Sequence, residues 1–192
     1  MKSFFRCPIS NEELQFQNLD LPNYGFFISK QSRYIYPVIN DVPIFLPYQT
    51  LLTASFFNNF ENTFILKYSD YQLPRVKIPP GEKSVAETFT DQWLSTRSSE
   101  FSFIYNKEEL FGLHRYCWLY GLSDGECLSK ELVLDVGCGN GQEAIALSKI
   151  FPNASVFALD LNPNLISLSK RIQESSMGKV LPLIASLWYP PF

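Results

Sequence analysis

The chain has 192 residues, 46% of them hydrophobic and 18% charged, with a formal net charge of −3. That is a globular composition, with room for one medium domain or a small one plus part of another, and it excludes a disordered or collagen-like chain. The slight acidity argues against a broad basic surface for nucleic acid, and no stretch reaches the apolar length of a bilayer span.

The first residues, Met1-Lys2-Ser3-Phe4-Phe5-Arg6-Cys7-Pro8, lack the apolar core of a secretory signal, so a cytoplasmic location is expected. Residues 1–47 read as a small, mainly β module. Tyr24-Gly25-Phe26-Phe27-Ile28 and Arg33-Tyr34-Ile35-Tyr36-Pro37-Val38 are aromatic and β-branched runs separated by Ser29-Lys30-Gln31-Ser32, which predicts a hairpin. Asn40-Asp41 supplies a turn before a further run, Val42-Pro43-Ile44-Phe45-Leu46. The cysteines are Cys7, Cys117, Cys127 and Cys138; none forms a C-x-x-C pair, so no metal site is expected.

Residues 48–130 read as a helical and irregular linker and cap region. Phe56, Phe57, Phe60, Phe64 and Ile65 fall on a helical stripe. The segment is not basic, which favours a core-facing helix over a membrane-surface one. Pro74, Pro79, Pro80 and Gly81 mark a linker. From Ser84 to Leu94 the pattern is an amphipathic helix, with Phe89 and Trp93 on one face. His114 is the only histidine, in Leu110-Phe111-Gly112-Leu113-His114-Arg115-Tyr116. Its ordinary pKa suits a general base, and Arg115, Tyr105 and Tyr120 are comparable candidates, but a lone histidine in aromatic surroundings is more often structural. No catalytic residue is assigned.

Residues 131–192 carry the most informative pattern. Leu132–Val136 is a short apolar run interrupted by Asp135, and it opens into Gly137, Gly139 and Gly141 at alternate positions. A buried strand, a close-approach glycine loop and a helix over Gln142–Ile150 are predicted, with Glu143 and Lys149 ordered to suit the helix dipole. Val156–Asp160 repeats the idea, an apolar run that ends in an acid 19 residues after Gly141. A carboxylate at that strand end suits a vicinal ribose diol. Asn162-Pro163 then starts a helical pattern through Leu165, Ile166, Leu168 and Ile172, and Val180–Ala185 is the third predicted strand. The fold class is therefore α/β, an incomplete doubly wound, Rossmann-like sheet preceded by the small β module.

The loop Asp135-Val136-Gly137-Cys138-Gly139-Asn140-Gly141 resembles the first motif of the class I S-adenosylmethionine-dependent methyltransferases. A dinucleotide fingerprint would need a third glycine at position 142, where Gln142 stands. The resemblance implies S-adenosyl-L-methionine as cofactor, with Asp135, Gly137, Cys138, Gly139 and Gly141 around its methionine portion, Asp160 at its ribose and Leu161 among the cofactor-binding residues. The family's third motif is similar to Ala185-Ser186-Leu187-Trp188-Tyr189-Pro190-Pro191-Phe192, which implies Ser186 and Leu187 beside the adenine; Ser186 stands where Asp is commoner. The N-terminal run, from Cys7-Pro8 to Tyr36-Pro37-Val38-Ile39-Asn40-Asp41-Val42-Pro43, is similar to the zinc-ribbon-like activator subunit of tRNA and protein methyltransferases, although Ser10 departs from that family's C-P-x-C. The Phe89, Gln92, Trp93 element also looks like the fused bacterial methyltransferases.

The pattern from residue 131 onward supplies three strands, and the glycine-loop strand has the character of a central one. A fragment of a longer enzyme is therefore expected, with an open sheet edge suited to a homo-oligomer. The acceptor expected for such an enzyme is a small molecule, with a tRNA or protein acceptor left open. Two rival functions stand beside methyl transfer: a nicotinamide-dependent oxidoreductase, and a non-catalytic interaction module that pairs with a methyltransferase.

Overall fold

The computed structural model describes residues 4–85, 88, 121, 123–129, 131–167, 169–170 and 180–192. The chain divides into two compact units, one formed by residues 1–85 and 183–192 and the other by residues 86–182. The predicted helix face of Phe89 and Trp93, and the candidates Tyr105, His114, Arg115 and Tyr120, lie outside the described residues.

The first unit is built on an antiparallel sheet in the order β1-β2-β3-β4, with β1 Gln15–Asn18, β2 Tyr24–Ser29, β3 Tyr34–Ile39 and β4 Val42–Pro43. The predicted hairpin is β2–β3, and its register places Phe27 opposite Tyr36 and Phe26 opposite Pro37. Alternation sends the side chains to two faces, and both are covered by aromatic rings. On one face Phe27 and Tyr36 pack against Phe45, with ring centroids 5.4 and 5.7 Å away, and Phe5 lies 5.4 Å from Phe27. On the other, Phe26 meets Phe64 at 5.3 Å and Tyr68 at 4.9 Å. Burial on both faces explains why β2 and β3 read as nearly continuous apolar runs.

The run expected to continue through Leu46 stops as a ladder at Pro43. Beyond it the Ile44 N–H still donates to the Pro37 carbonyl at 2.8 Å, but Pro37 has no N–H to return the bond. Ile44 also forms a parallel bridge with Ile184, and the Phe45 N–H donates to the Ile184 carbonyl at 2.7 Å.

The phenylalanine stripe forms two short helices, α1 Leu51–Asn59 and α2 Glu61–Lys67. Thr50 caps α1 through a reciprocal box, its Oγ1 accepting from the Thr53 N–H at 3.2 Å and its N–H donating to Thr53 Oγ1 at 2.9 Å. Phe60, at φ −114°, ends one helix and begins the next. Phe56 is buried, with Phe60 and Phe64 at 5.0 and 5.8 Å, which is the core-facing arrangement; Ile65 and Leu66 stay exposed.

In the second unit, α3 Asp124–Ser129 precedes β5 Leu132–Val136, α4 Gln142–Ile150 and β6 Ser155–Asp160; β7, Val180–Ile184, begins in this unit. The sheet order is β5-β6-β7. β5 and β6 run parallel in the register Leu132 with Ser155 through Val136 with Leu159, so both acid-bearing strand ends point the same way. Every residue from Val156 to Leu159 is buried. β5 departs from its expected burial, because Leu132, Leu134 and Val136 are about half exposed (51%, 46% and 46%). They share one face by the two-residue period, and among the described residues β5 pairs only with β6. No helix among the described residues is long and apolar enough to cross a membrane.

Gly25 supplies a direct test of the hairpin packing. A Cβ there would lie 2.6 Å from the Gln17 carbonyl oxygen and 2.7 Å from the Phe16 ring. Gly25→Ala is expected to destabilise the chain by about 1–3 kcal/mol through overpacking against β1, seen as a lower urea midpoint at unchanged slope.

Candidate functional site

The site is the junction of β5, the glycine loop and the end of β6. Gly137, Gly139 and Gly141 all have positive φ, at 73°, 56° and 76°. Side chains at these positions would be strained, which is the physical reason for three glycines. The loop is held by backbone. The Leu159 carbonyl accepts from the N–H groups of Gly137 (2.8 Å) and Cys138 (3.1 Å), and the Cys138 carbonyl accepts from Gly141 at 2.8 Å. Gly141 is the N-cap of α4 and offers no side chain to the helix's first N–H groups.

Asp160 closes the arrangement. Its Oδ2 accepts from the Gly139 N–H at 2.8 Å and its Oδ1 from the Asn162 N–H at 2.9 Å. An ionised carboxylate has about four acceptor positions, so each oxygen keeps capacity for a second donor. Asn162 is 1% exposed, and its Oδ1 accepts from the Asn164 N–H at 2.9 Å, which fixes the turn after β6. Sequence reasoning used Asn162-Pro163 only as a helix start; the Asn-Pro dipeptide was also the signal for this turn.

Asp135 lies on β5 two residues before the loop. It accepts from the Ala144 N–H of α4, but its buried Oδ2 has no hydrogen-bond partner among the described residues. Burial, then the charges of Glu143 and Asp160, push its carboxyl up to about 6, and the Ala144 N–H only partly offsets them. Cys138 is buried, and burial together with the Asp135 and Asp160 charges holds its thiol well above the ordinary range. It is a packed side chain rather than a nucleophile.

The second unit thus brings together Asp135, Gly137, Cys138, Gly139 and Gly141 with Asp160, and Leu161 follows directly. Ser186 and Leu187 belong to the first unit. There Ser186 is fully buried, its Oγ accepting from the Trp188 N–H at 3.1 Å, and Leu187 is exposed. Among the described residues no group of three or more His, Cys, Asp or Glu is suited to a metal ion.

Residues 133–186 match the family model described as a methyltransferase domain, a span that contains the loop and both acids. No curated protein sequence matches the chain. Among solved structures, coclaurine N-methyltransferase bound to N-methylheliamine and SAH is similar at 12% identity and TM-score 0.34, covering 73% of this chain and 47% of that one. The S-adenosylmethionine-dependent methyltransferase SibL, in its apo form, is similar at 22% identity and TM-score 0.28, covering 74% of this chain and 46% of that one. The chain spans about half the length of either. At these TM-scores neither adds to the fold assignment, which rests on the sheet and loop described above.

The raised pKa of Asp135 has a consequence for stability. The folded chain binds the proton more tightly than the unfolded one, so this contribution is full below the ordinary value of 3.8 and is lost as pH rises to about 6. Asp135→Asn is expected to flatten the stability profile across that window, measured as urea midpoints at stepped pH.

Proposed function

We propose that this chain carries the cofactor-binding segment of a class I S-adenosylmethionine-dependent methyltransferase. The observation that carries the reading is the pair of incompletely used carboxylates at the strand ends beside one glycine loop: among the described residues, Asp135 keeps a buried oxygen without a partner and Asp160 keeps one acceptor position on each oxygen. Both lie inside the span that matches the methyltransferase-domain model.

These residues fit the cofactor's chemistry. Asp135 Oδ2 is a buried anionic acceptor suited to the ammonium of the methionine portion. The start of α4, whose N-cap Gly141 brings no side chain and whose Ala144 N–H Asp135 already takes, suits its carboxylate through the helix dipole. Asp160 suits the two ribose hydroxyls; Cys138 lies within the loop and Leu161 directly follows Asp160. When bound, S-adenosyl-L-methionine supplies an activated methyl group on a sulfonium centre. The protein's part is then to align the acceptor in line with that group and, where the acceptor needs it, to take up a proton. The net charge of −3 favours a small molecule over a nucleic acid as acceptor. No residue among those described is assigned as a base.

Calorimetric titration of the full chain with S-adenosylhomocysteine tests the reading. Micromolar binding is expected, weakened about 100-fold by Asp160→Ala, the size expected for losing hydrogen bonds to a charged acceptor. A folded chain that gives no heat, or that prefers a reduced nicotinamide dinucleotide, would contradict it.

A further inference from the structure

The first unit contains two matching turns that the methyl-transfer reading does not use. Cys7-Pro8-Ile9-Ser10 and Ser29-Lys30-Gln31-Ser32 each place a sulfur- or hydroxyl-bearing side chain at both ends of a four-residue turn. Each is followed by a residue in the left-handed region, Asn11 at φ 58° and Arg33 at φ 56°. The Ser10 N–H points at Cys7 Sγ, 3.4 Å away. The turns meet: Ser10 Oγ and Ser32 Oγ are 3.1 Å apart, and Ser29 Oγ hydrogen-bonds Ser32 Oγ. Paired turns with two residues between the end positions are the ligand framework of four-coordinate structural zinc sites. Here a single thiol stands with three hydroxyls, which are not ligands for such a site. Cys7 Sγ is instead 3.2 Å from the Tyr36 hydroxyl.

A carboxylate joins the turns. Glu12 Oε2 accepts from Ser10 Oγ at 2.9 Å and from the Ser32 N–H at 3.2 Å, and Oε1 accepts from the Gln31 N–H at 2.9 Å. Burial raises its pKa, but hydrogen bonds from Ser29, Gln31, Ser10 and Ser32 outweigh it and hold the carboxyl down to about 2. Glu12 is therefore ionised at neutral pH and bonded to both turns at once.

We propose that the Glu12 carboxylate cross-links the two turns in the place a four-coordinate metal would take, and that the turns remain a metal-ligand framework which Ser10→Cys, Ser29→Cys and Ser32→Cys together convert into a zinc-type site beside Cys7. The inference concerns the N-terminal unit alone and is independent of the methyltransferase reading.

Thermal melts and cobalt titration of the full chain test it. A chelator is expected to leave the melting temperature of the unmodified chain unchanged, and Glu12→Gln to lower it by about 5 °C. The three cysteine substitutions combined with Glu12→Gln are expected to bind one equivalent of Co²⁺ with the visible absorption of tetrahedral thiolate coordination, and Co²⁺ to restore the lost melting temperature. A chelator that destabilises the unmodified chain, a Glu12→Gln variant that melts unchanged, or a folded quadruple variant without thiolate–cobalt absorption would each overturn the proposal. Should the quadruple variant fail to fold, the chelator and Glu12→Gln melts decide it alone.

Discussion

The Asp160 carboxylate is the interaction on which the site depends. Three glycines with positive φ form a loop with almost no side chains of its own to define it. Its shape comes from what holds its amides, and Asp160 holds Gly139 directly while also holding Asn162 beyond β6. One carboxylate thereby joins the loop after β5 to the turn after β6. The Leu159 carbonyl adds two more ties from the preceding residue. The parallel β5–β6 register makes this possible by bringing the two strand ends level. Because the two backbone N–H groups use only half of the carboxylate's acceptor capacity, the group that orders the loop keeps room for further donors.

Asp135 adds the opposite kind of feature. Its buried Oδ2 has no partner among the described residues, which is costly for a polar atom, and burial with the Glu143 and Asp160 charges raises its pKa. A polar ligand group placed there would relieve it.

Much of this was legible in the sequence, for local reasons. Glycines at positions 137, 139 and 141 announce left-handed backbone, and all three adopt it. The β2–β3 hairpin follows from aromatic and β-branched runs around a polar turn. What the sequence hid depends on partners far along the chain. Phe45 donates to the Ile184 carbonyl rather than to the first sheet's ladder, and Ile44 bridges residue 184 while still bonded to Pro37. The continuous stripe from Phe56 to Ile65 hides the break at Phe60, since periodicity alone carries no information about a single non-helical residue. The apolar character of Leu132, Leu134 and Val136 says that a face wants burial, not that it receives it. Nothing local in the sequence marks Glu12, whose bonds appear only when turns about 20 residues apart meet.

Hydrogen exchange of the full chain with and without S-adenosylhomocysteine tests the central claim most directly, because the loop and the start of α4 border the proposed cofactor site. The account predicts slower exchange over residues 137–145 and 160–162, with residues 24–39 unchanged. Protection confined to other segments, or none on a chain that is folded and saturated with the ligand, would contradict it.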